Sequence, residues 1–148
     1  MKRPFSLLLI CTLGLMLTLS SCRKYPDGPN FSLRSKTERV VNNWQLELLL
    51  RNDIDETVDQ ALFEMSFTKS GRFSWRIQPM GAQAPVEVAA DWEFASVKEQ
   101  IKLTFDDKDP LTGETRLLFM DIIRLTEDEL WLEYLTGGDF YRIRLRDL

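Results

Sequence analysis

Residues 61–78 read ALFEMSFTKSGRFSWRIQ, two stretches of alternating apolar and polar residues on either side of a short turn. The apolar residues of each stretch fall at every second position: Phe63, Met65 and Phe67 in the first, and Phe73, Trp75 and Ile77 in the second. Successive side chains of a strand point to opposite faces of a sheet. With Lys69-Ser70-Gly71 between them, the stretches predict an antiparallel hairpin with one buried face and one solvated face.

The same alternation continues on both sides of this hairpin. Strands are predicted over residues 42–50, 61–68, 72–78, 86–94, 101–105, 115–125, 129–135 and 140–146. The connections are too short for the helical crossovers that parallel pairing needs. Ser35-Lys36-Thr37-Glu38 has capping-box spacing and predicts a short helix before the first strand. We therefore expect an all-β fold, an eight-stranded antiparallel up-and-down barrel with a short N-terminal helix, and a two-sheet β-sandwich as the alternative.

The predicted inner face of this barrel is rich in aromatic side chains. The candidate ligand-binding residues in the barrel interior are Trp44, Phe63, Phe67, Phe73, Trp75, Trp92, Phe94 and Phe105. An eight-stranded barrel has room for one small ligand, and this lining would select a hydrophobic one. Alternatively the rings fill the barrel themselves, since each buries about 150–250 Å².

Two strands raise the question of what lies on the outer face. In the first strand, Trp44, Leu46, Leu48 and Leu50 are predicted to share one face. Residues 115–125 are apolar on both faces, so one face needs a cover outside the barrel. Residues 33–41 are the expected cover, and a partner protein or second copy is the alternative. If the barrel is filled, function is expected at an outer stripe around Leu118, Met120, Ile122 and Trp131.

The N-terminal segment has the layout of a secretory signal. Lys2 and Arg3 precede an uncharged apolar run over residues 5–19, which is shorter than the roughly 20 residues of a membrane span. Leu19-Ser20-Ser21-Cys22 resembles a bacterial lipobox, which implies that Cys22 is acylated and begins the mature chain. The alternative is an uncleaved N-terminal anchor. We expect residues 1–21 to be the signal peptide, 22–33 a lipidated tether and 34–148 the barrel domain.

This resemblance also implies a location. The chain is expected in the bacterial cell envelope, held in the membrane through acyl chains such as palmitate on Cys22. Arg23 follows that cysteine, where an Asp favours inner-membrane retention, so the outer membrane is expected.

Composition excludes several classes of function. The 148 residues contain 19 Lys and Arg against 23 Asp and Glu, a net charge of −4, which argues against nucleic acid as a partner. The chain has no His, so the commonest general base and the commonest transition-metal ligand are absent. The acidic stretches 52–56 and 106–109 lack the spacing of a calcium loop and are predicted to be solvated. We predict no enzyme activity, no cofactor and no metal site.

A Trp in the first strand after a short helix, followed by an eight-strand meander, resembles the lipocalin group. The similar stretches are residues 40–46, 67–73, 92–94 and 123–132, and they are typical of compact bacterial lipocalin-like lipoproteins. The resemblance implies a calycin-type barrel that binds a small hydrophobic ligand. It also implies that Arg142 or Arg144 of the last strand packs over Trp44. The alternatives are that these arginines form a solvated face, and that the protein is a non-enzymatic accessory lipoprotein acting through protein contacts.

Overall fold

The structure, a computed structural model, describes residues 34–148. The predicted signal peptide and tether, with Cys22, lie outside the described residues. The elements in chain order are α1 Lys36–Val40, β1 Asn43–Arg51, β2 Ile54–Asp55, β3 Gln60–Phe67, β4 Arg72–Pro79, β5 Val86–Ala95, β6 Gln100–Lys108, β7 Thr115–Leu125, β8 Glu129–Thr136 and β9 Asp139–Asp147. Two 3-10 turns are at Thr57–Asp59 and Ser96–Lys98. Across residues 34–148 no helix combines the length and apolarity that crossing a bilayer requires.

The strands form a closed antiparallel barrel. From β3 onward each strand pairs with the next, and β9 returns to pair with β1 from Trp44 opposite Asp147 to Arg51 opposite Tyr141. Closure gives each of the eight long strands a neighbour on both sides, although β1 and β3 pair only over Asn43–Gln45. The predicted eight-stranded up-and-down barrel is confirmed, and the β-sandwich is not what forms. The two-residue strand β2 lies between the first two predicted strands, where no strand is predicted, and it forms a short hairpin with β1.

The hairpin of β3 and β4 forms as its alternation predicts. Phe67 lies opposite Phe73 and Met65 opposite Trp75, all on the inner face. Gly71 has a φ of +84°, which L side chains rarely adopt, so glycine suits this turn. Its carbonyl oxygen accepts a hydrogen bond from the Trp92 backbone N–H at 2.8 Å, which joins the turn to β5.

Helix α1 closes one end of the barrel. The Ser35 hydroxyl accepts from the Glu38 backbone N–H at 3.2 Å, and the Glu38 carboxylate accepts from the Ser35 backbone N–H at 2.8 Å. This is the predicted capping box. At the other end of the helix Arg39 donates to the Leu125 carbonyl oxygen at 2.7 Å. We call this the closed end, and the end where β1 finishes at Arg51 the open end.

A β-bulge in β1 changes which of its side chains face inward from those that the sequence predicts. Leu46 lies opposite Leu145 and Leu48 opposite Arg144, so Glu47 is an extra residue that reverses the alternation beyond it. Leu49 is therefore buried at 5% exposure, and the prediction that Leu48 and Leu50 face inward is wrong. A register shift after Ile122 acts in the same way in β7 and brings Leu125 into the core.

The predicted outer stripe is wrong for three of its four residues. Leu118, Met120 and Ile122 are buried in the core, because cross-strand pairing places Leu118 opposite the inward Leu103. The outward side chains of β7 are instead Leu117 and Phe119, which are 52% and 47% exposed. The described part of residues 33–41 does not cover them, since α1 lies at the closed end.

Trp131 does face outward, and arginines cover it. Arg124 and Arg144 are its cross-strand neighbours in β7 and β9. The guanidinium carbon of Arg124 lies 5.1 Å from a Trp131 ring centroid and that of Arg144 lies 4.3 Å from one, both within cation–π range. Because Arg142 and Arg144 lie outside the barrel, neither packs over Trp44, and that implication of the resemblance is wrong.

Candidate ligand-binding site

The half of the barrel nearest α1 is filled with aromatic rings. Trp44 is fully buried, and its indole Nε1–H donates to the Val40 carbonyl oxygen at 2.9 Å. Phe67 packs against Phe73 with ring centroids 4.8 Å apart and against Trp92 at 5.6 Å. Trp92 in turn contacts Phe94 at 5.4 Å and donates from Nε1 to the Thr68 carbonyl oxygen at 3.0 Å. These rings are packed together, and both indole N–H groups donate to backbone carbonyl oxygens, so this half of the described interior is filled.

The open half contains a cavity of about 650 Å³. All eight long strands except β5 contribute lining residues, from the parts of the strands that lie towards the open end. Glu56 comes from the segment between β2 and β3. The lining residues are Leu49, Arg51, Glu56, Gln60, Phe63, Trp75, Ile77, Phe105, Arg116, Leu117, Leu118, Tyr134, Thr136 and Tyr141. The volume lies within the roughly 300–1,000 Å³ of small-molecule sites. Nine of the fourteen lining residues are aliphatic or aromatic, and the other five are polar or charged.

Four aromatic rings of the lining contact one another in a chain that crosses the barrel from β3 and β4 to β8 and β9. Phe63 and Trp75 meet edge-on at 5.3 Å, and Trp75 meets Tyr134 at 6.4 Å. Tyr134 and Tyr141 are cross-strand partners whose rings stack 5.0 Å apart with planes 9° from parallel. Burial raises the pKa of the Tyr134 phenol well above its ordinary value, so it stays uncharged over the physiological range.

Between β1 and β3 the wall of the cavity is formed partly by strand pairing and partly by residues 52–59. These strands pair over Asn43–Gln45 near the closed end. Towards the open end, residues 52–59 lie beside β1: the Glu56 N–H donates to the Leu49 carbonyl oxygen at 2.9 Å, and the Thr57 hydroxyl accepts from the Leu49 N–H at 2.9 Å. This segment brings Glu56 to the cavity, and Gln60 lines it from the start of β3.

Asn52 and Asp53 form the turn that brings residues 54–59 back alongside β1. Both have positive φ, 50° and 64°, a conformation that Asn and Asp tolerate better than other side chains. The Asn52 amide also donates to the Asp139 carboxylate at 2.7 Å, and its oxygen accepts from the Phe140 N–H at 2.9 Å. The turn is therefore joined to the β8–β9 turn at the open end.

The charged residues of the lining are paired. Arg51 donates from Nε to the Glu56 carboxylate at 2.8 Å and lies 3.7 Å from the Asp139 carboxylate. The hydrogen bond to Glu56 raises the pKa of Arg51. Arg116 is hydrogen-bonded to Asp107, and its guanidinium carbon lies 4.9 Å from the Phe105 ring centroid.

Two uncharged polar atoms of the lining residues have no partner. The Trp75 Nε1–H donor and the Gln60 Oε1 acceptor are both buried and make no hydrogen bond in the structure. Both residues line the cavity. Each atom has almost no accessible surface, so the surrounding side chains enclose both atoms and neither faces the cavity.

The acidic stretches have structural roles in turns. Asp55 accepts from the Thr57 N–H at 2.9 Å, and Asp109 accepts from the Leu111 and Thr112 N–H groups at 2.8 and 2.9 Å. Hydrogen bonds from the Thr57 side chain and then its backbone lower the pKa of Asp55. Those from the Thr112 and Leu111 N–H groups lower the pKa of Asp109. Within the described part of the chain, no three Asp, Glu, His or Cys side chains are grouped so as to hold a metal ion.

The structure separates the eight candidate residues into two groups. Phe63, Trp75 and Phe105 line the cavity, and the other five, Trp44, Phe67, Phe73, Trp92 and Phe94, pack in the filled half. The two interpretations of the interior thus each describe one half of the barrel. Gln60, Tyr134 and Tyr141 line the cavity but are not among the predicted site residues. The inward alternation of β8 indicated Tyr134, but the position of Gln60 depends on the register shift between Gln60 and Leu62.

No protein-family model matches the chain, and no curated protein matches it. Among solved structures the chain is similar to a redesigned β barrel, with 10% sequence identity and a TM-score of 0.48. The similarity covers 80% of this chain and 99% of that one.

Proposed function

We propose that the protein is a lipid-anchored envelope protein whose lipocalin-like barrel binds one small hydrophobic molecule noncovalently at its open end. The observation that carries the proposal is the asymmetry of the interior. One half is filled by aromatic rings that pack against one another, and the other half contains a cavity of about 650 Å³. A barrel that needed its interior for stability alone would fill both halves, because packing of the interior stabilises a protein in proportion to the apolar area it buries.

The lipid anchor is supported by the sequence alone. The lipobox-like Leu19-Ser20-Ser21-Cys22 and the uncharged run before it are the features that support acylation of Cys22, and Arg23 supports outer-membrane sorting. Incorporation of an alkyne-tagged palmitate tests this. We expect labelling of the wild-type chain and none of Cys22→Ser, and equal labelling of the two would contradict the anchor.

Native mass spectrometry of residues 23–148, the chain without signal or acyl group, tests ligand binding. We expect a reproducible added mass that denaturation releases. Leu118→Trp places a larger side chain in the cavity lining and should reduce the added mass. Phe119→Trp is the matched control, because Phe119 is the outward neighbour on the same strand.

A bare mass that stays unchanged after incubation with a panel of lipids and hydrophobic molecules would contradict this function. It would favour the alternative of a non-enzymatic accessory lipoprotein that acts through its outer surface. The feature that supports that alternative is Phe119, a large apolar side chain that is about half exposed on the outer face of β7 and is not part of the cavity lining.

A further inference from the structure

Acidic side chains are concentrated at the end of the barrel that contains the cavity. The connections between the long strands at this open end are residues 52–59, 80–85, 109–114 and 137–138. They contain no Lys or Arg and six carboxylates, those of Asp53, Asp55, Glu56, Asp59, Asp109 and Glu114. The closed end has residues of both signs, such as Lys36, Lys69 and Glu127. The negative potential of the chain is therefore strongest at the entrance of the cavity.

The two arginines of the cavity lining do not reverse this potential. Arg51 is paired with Glu56 and Asp139, and Arg116 is paired with Asp107. Asp107 and Asp139 belong to strands, so they add to the carboxylates of the connections. An anionic head group would have to compete with these carboxylates for the same guanidinium groups. The lining therefore disfavours an anionic ligand such as a fatty acid.

Carboxylates of the connections keep their negative charge at neutral pH. Hydrogen bonds from Thr57 lower the pKa of Asp55, and hydrogen bonds from Thr112 and Leu111 lower the pKa of Asp109. These donors are uncharged N–H and hydroxyl groups, so they stabilise the ionised form without cancelling its charge. The entrance thus presents charges that attract a cation.

The aromatic residues of the lining suit the same kind of ligand. They are Phe63, Trp75, Phe105, Tyr134 and Tyr141. The face of an aromatic ring attracts a cation that lies within about 6 Å, and groups of aromatic rings recognise ammonium ligands in this way. One such contact is present already, because the Arg116 guanidinium carbon lies 4.9 Å from the Phe105 ring centroid. Rings and carboxylates together favour a positive charge on the ligand, and the cavity volume leaves space for an apolar part.

We propose that the cavity binds a cationic amphiphile, a molecule with an apolar chain or ring system and one ammonium group. This rests on the proposed function and names the ligand class of that site. The apolar part lies in the cavity against Phe63, Trp75 and Ile77. The ammonium group lies towards the acidic connections, because burying a charge without a partner is costly.

Competition with a fluorescent probe tests the ligand class. Residues 23–148 include every element of the described barrel, and a cooperative thermal melt verifies that this chain is folded. The probe is N-phenyl-1-naphthylamine, which is uncharged at neutral pH. The competitors are decyltrimethylammonium, decanol and decanoate, which share a ten-carbon chain and differ in head-group charge, all used below micelle-forming concentrations. We expect decyltrimethylammonium to displace the probe at concentrations at least about fivefold lower than either of the others.

Salt should reduce this preference. Raising the NaCl concentration from about 20 mM to about 500 mM screens the carboxylates of the entrance. Displacement by decyltrimethylammonium should then need a higher concentration relative to decanol, whose uncharged head group has no such term. A preference for decyltrimethylammonium that is independent of salt would contradict the role of the entrance carboxylates.

A triple variant connects the preference to these carboxylates. Asp53→Asn/Asp59→Asn/Glu114→Gln removes three charges from the connections of the open end and changes no residue of the cavity lining. We expect it to weaken displacement by decyltrimethylammonium about threefold or more and to leave displacement by decanol unchanged. An equal loss for both competitors would mean that the variant alters the cavity itself, and the inference would fail.

The matched control is Glu99→Gln/Glu127→Gln/Asp128→Asn. It removes the same number of carboxylates from connections at the closed end, so the net charge of the chain changes equally. We expect this control to bind decyltrimethylammonium nearly as the wild type does. If the two triple variants bind it alike, the charges at the entrance do not select the ligand and the inference fails.

The outcomes separate the ligand class from the function beneath it. If decanol or decanoate displaces the probe from the wild-type protein as well as decyltrimethylammonium does, the proposed class is wrong while ligand binding stands. If neither the probe nor any competitor binds, the proposed function fails and the inference with it.

Discussion

The indole of Trp44 in β1 donates a hydrogen bond to the backbone carbonyl oxygen of Val40, the last residue of α1, at 2.9 Å. Both residues are fully buried. The contact holds the helix against the barrel end where the first inward side chain of β1 lies. The contact therefore places α1 at the end of the barrel opposite the cavity.

Replacing Trp44 by Phe removes this hydrogen bond and keeps an aromatic ring. The buried Val40 carbonyl then loses its indole partner, so the free energy of unfolding should fall by about 1–3 kcal/mol, measured by urea denaturation. Trp131→Phe is the control, because the Trp131 Nε1–H has no partner to lose. Equal losses in the two variants would show that the hydrogen bond contributes nothing beyond ring size.

Alanine substitutions at two neighbouring residues of β7 should differ in their effect on the free energy of unfolding, because one side chain faces inward and the other outward. Met120 is fully buried, so Met120→Ala should lower the free energy of unfolding by about 2–5 kcal/mol. Phe119 is 47% exposed, and Phe119→Ala should cost less than about 1 kcal/mol. Chemical denaturation of both variants under one condition checks the pair, and the reverse order would overturn the strand register described above.

The buried phenol of Tyr134 makes stability depend on alkaline pH. Its folded pKa is raised by burial, and secondarily by Tyr141, above the ordinary 10.0. The neutral phenol therefore contributes stability that is complete below about pH 10 and declines as pH rises towards the folded pKa, because the unfolded chain ionises first. Thermal unfolding between about pH 9 and 11.5 should show a smaller decline for Tyr134→Phe than for the wild type. Equal declines in the melting temperatures of the wild type and Tyr134→Phe would contradict the prediction, because they would mean that the Tyr134 phenol is hydrated.

The capping box makes stability depend on acidic pH. The pKa of Glu38 is lowered from 4.5, mainly by the hydrogen bond from the Ser35 backbone and then by that from its side chain. Ionised Glu38 thus contributes stability above its unfolded pKa, and this is lost as pH falls through the folded value. Glu38→Gln should be less stable than the wild type at pH 6 and approach it near about pH 2.5 in denaturation experiments. A difference that stays constant with pH would contradict the ionic contribution.

Local pattern was enough to predict the strands, the capping box and the closed meander. The alternation in residues 61–78 reports which side of a strand is buried, and this information is local because the side-chain period of a strand is two residues. The same rule failed at Glu47, where one extra residue reversed the faces of Leu48 and Leu49. A bulge is specified by the neighbouring strand, so the sequence of β1 does not reveal it.

By itself the sequence determined an all-β meander long enough to close, with an aromatic inner face, a short capped helix before it and a lipobox-like segment ahead of both. Tertiary structure alone decided which half of that inner face is filled. Phe67, Phe73 and Trp92 contact one another because three strands bring them together at the closed end. Phe63 and Trp75 belong to the same strands as this group, yet they line a cavity. Alternation assigns a side chain to a face, but the space left beside it depends on every strand around the barrel.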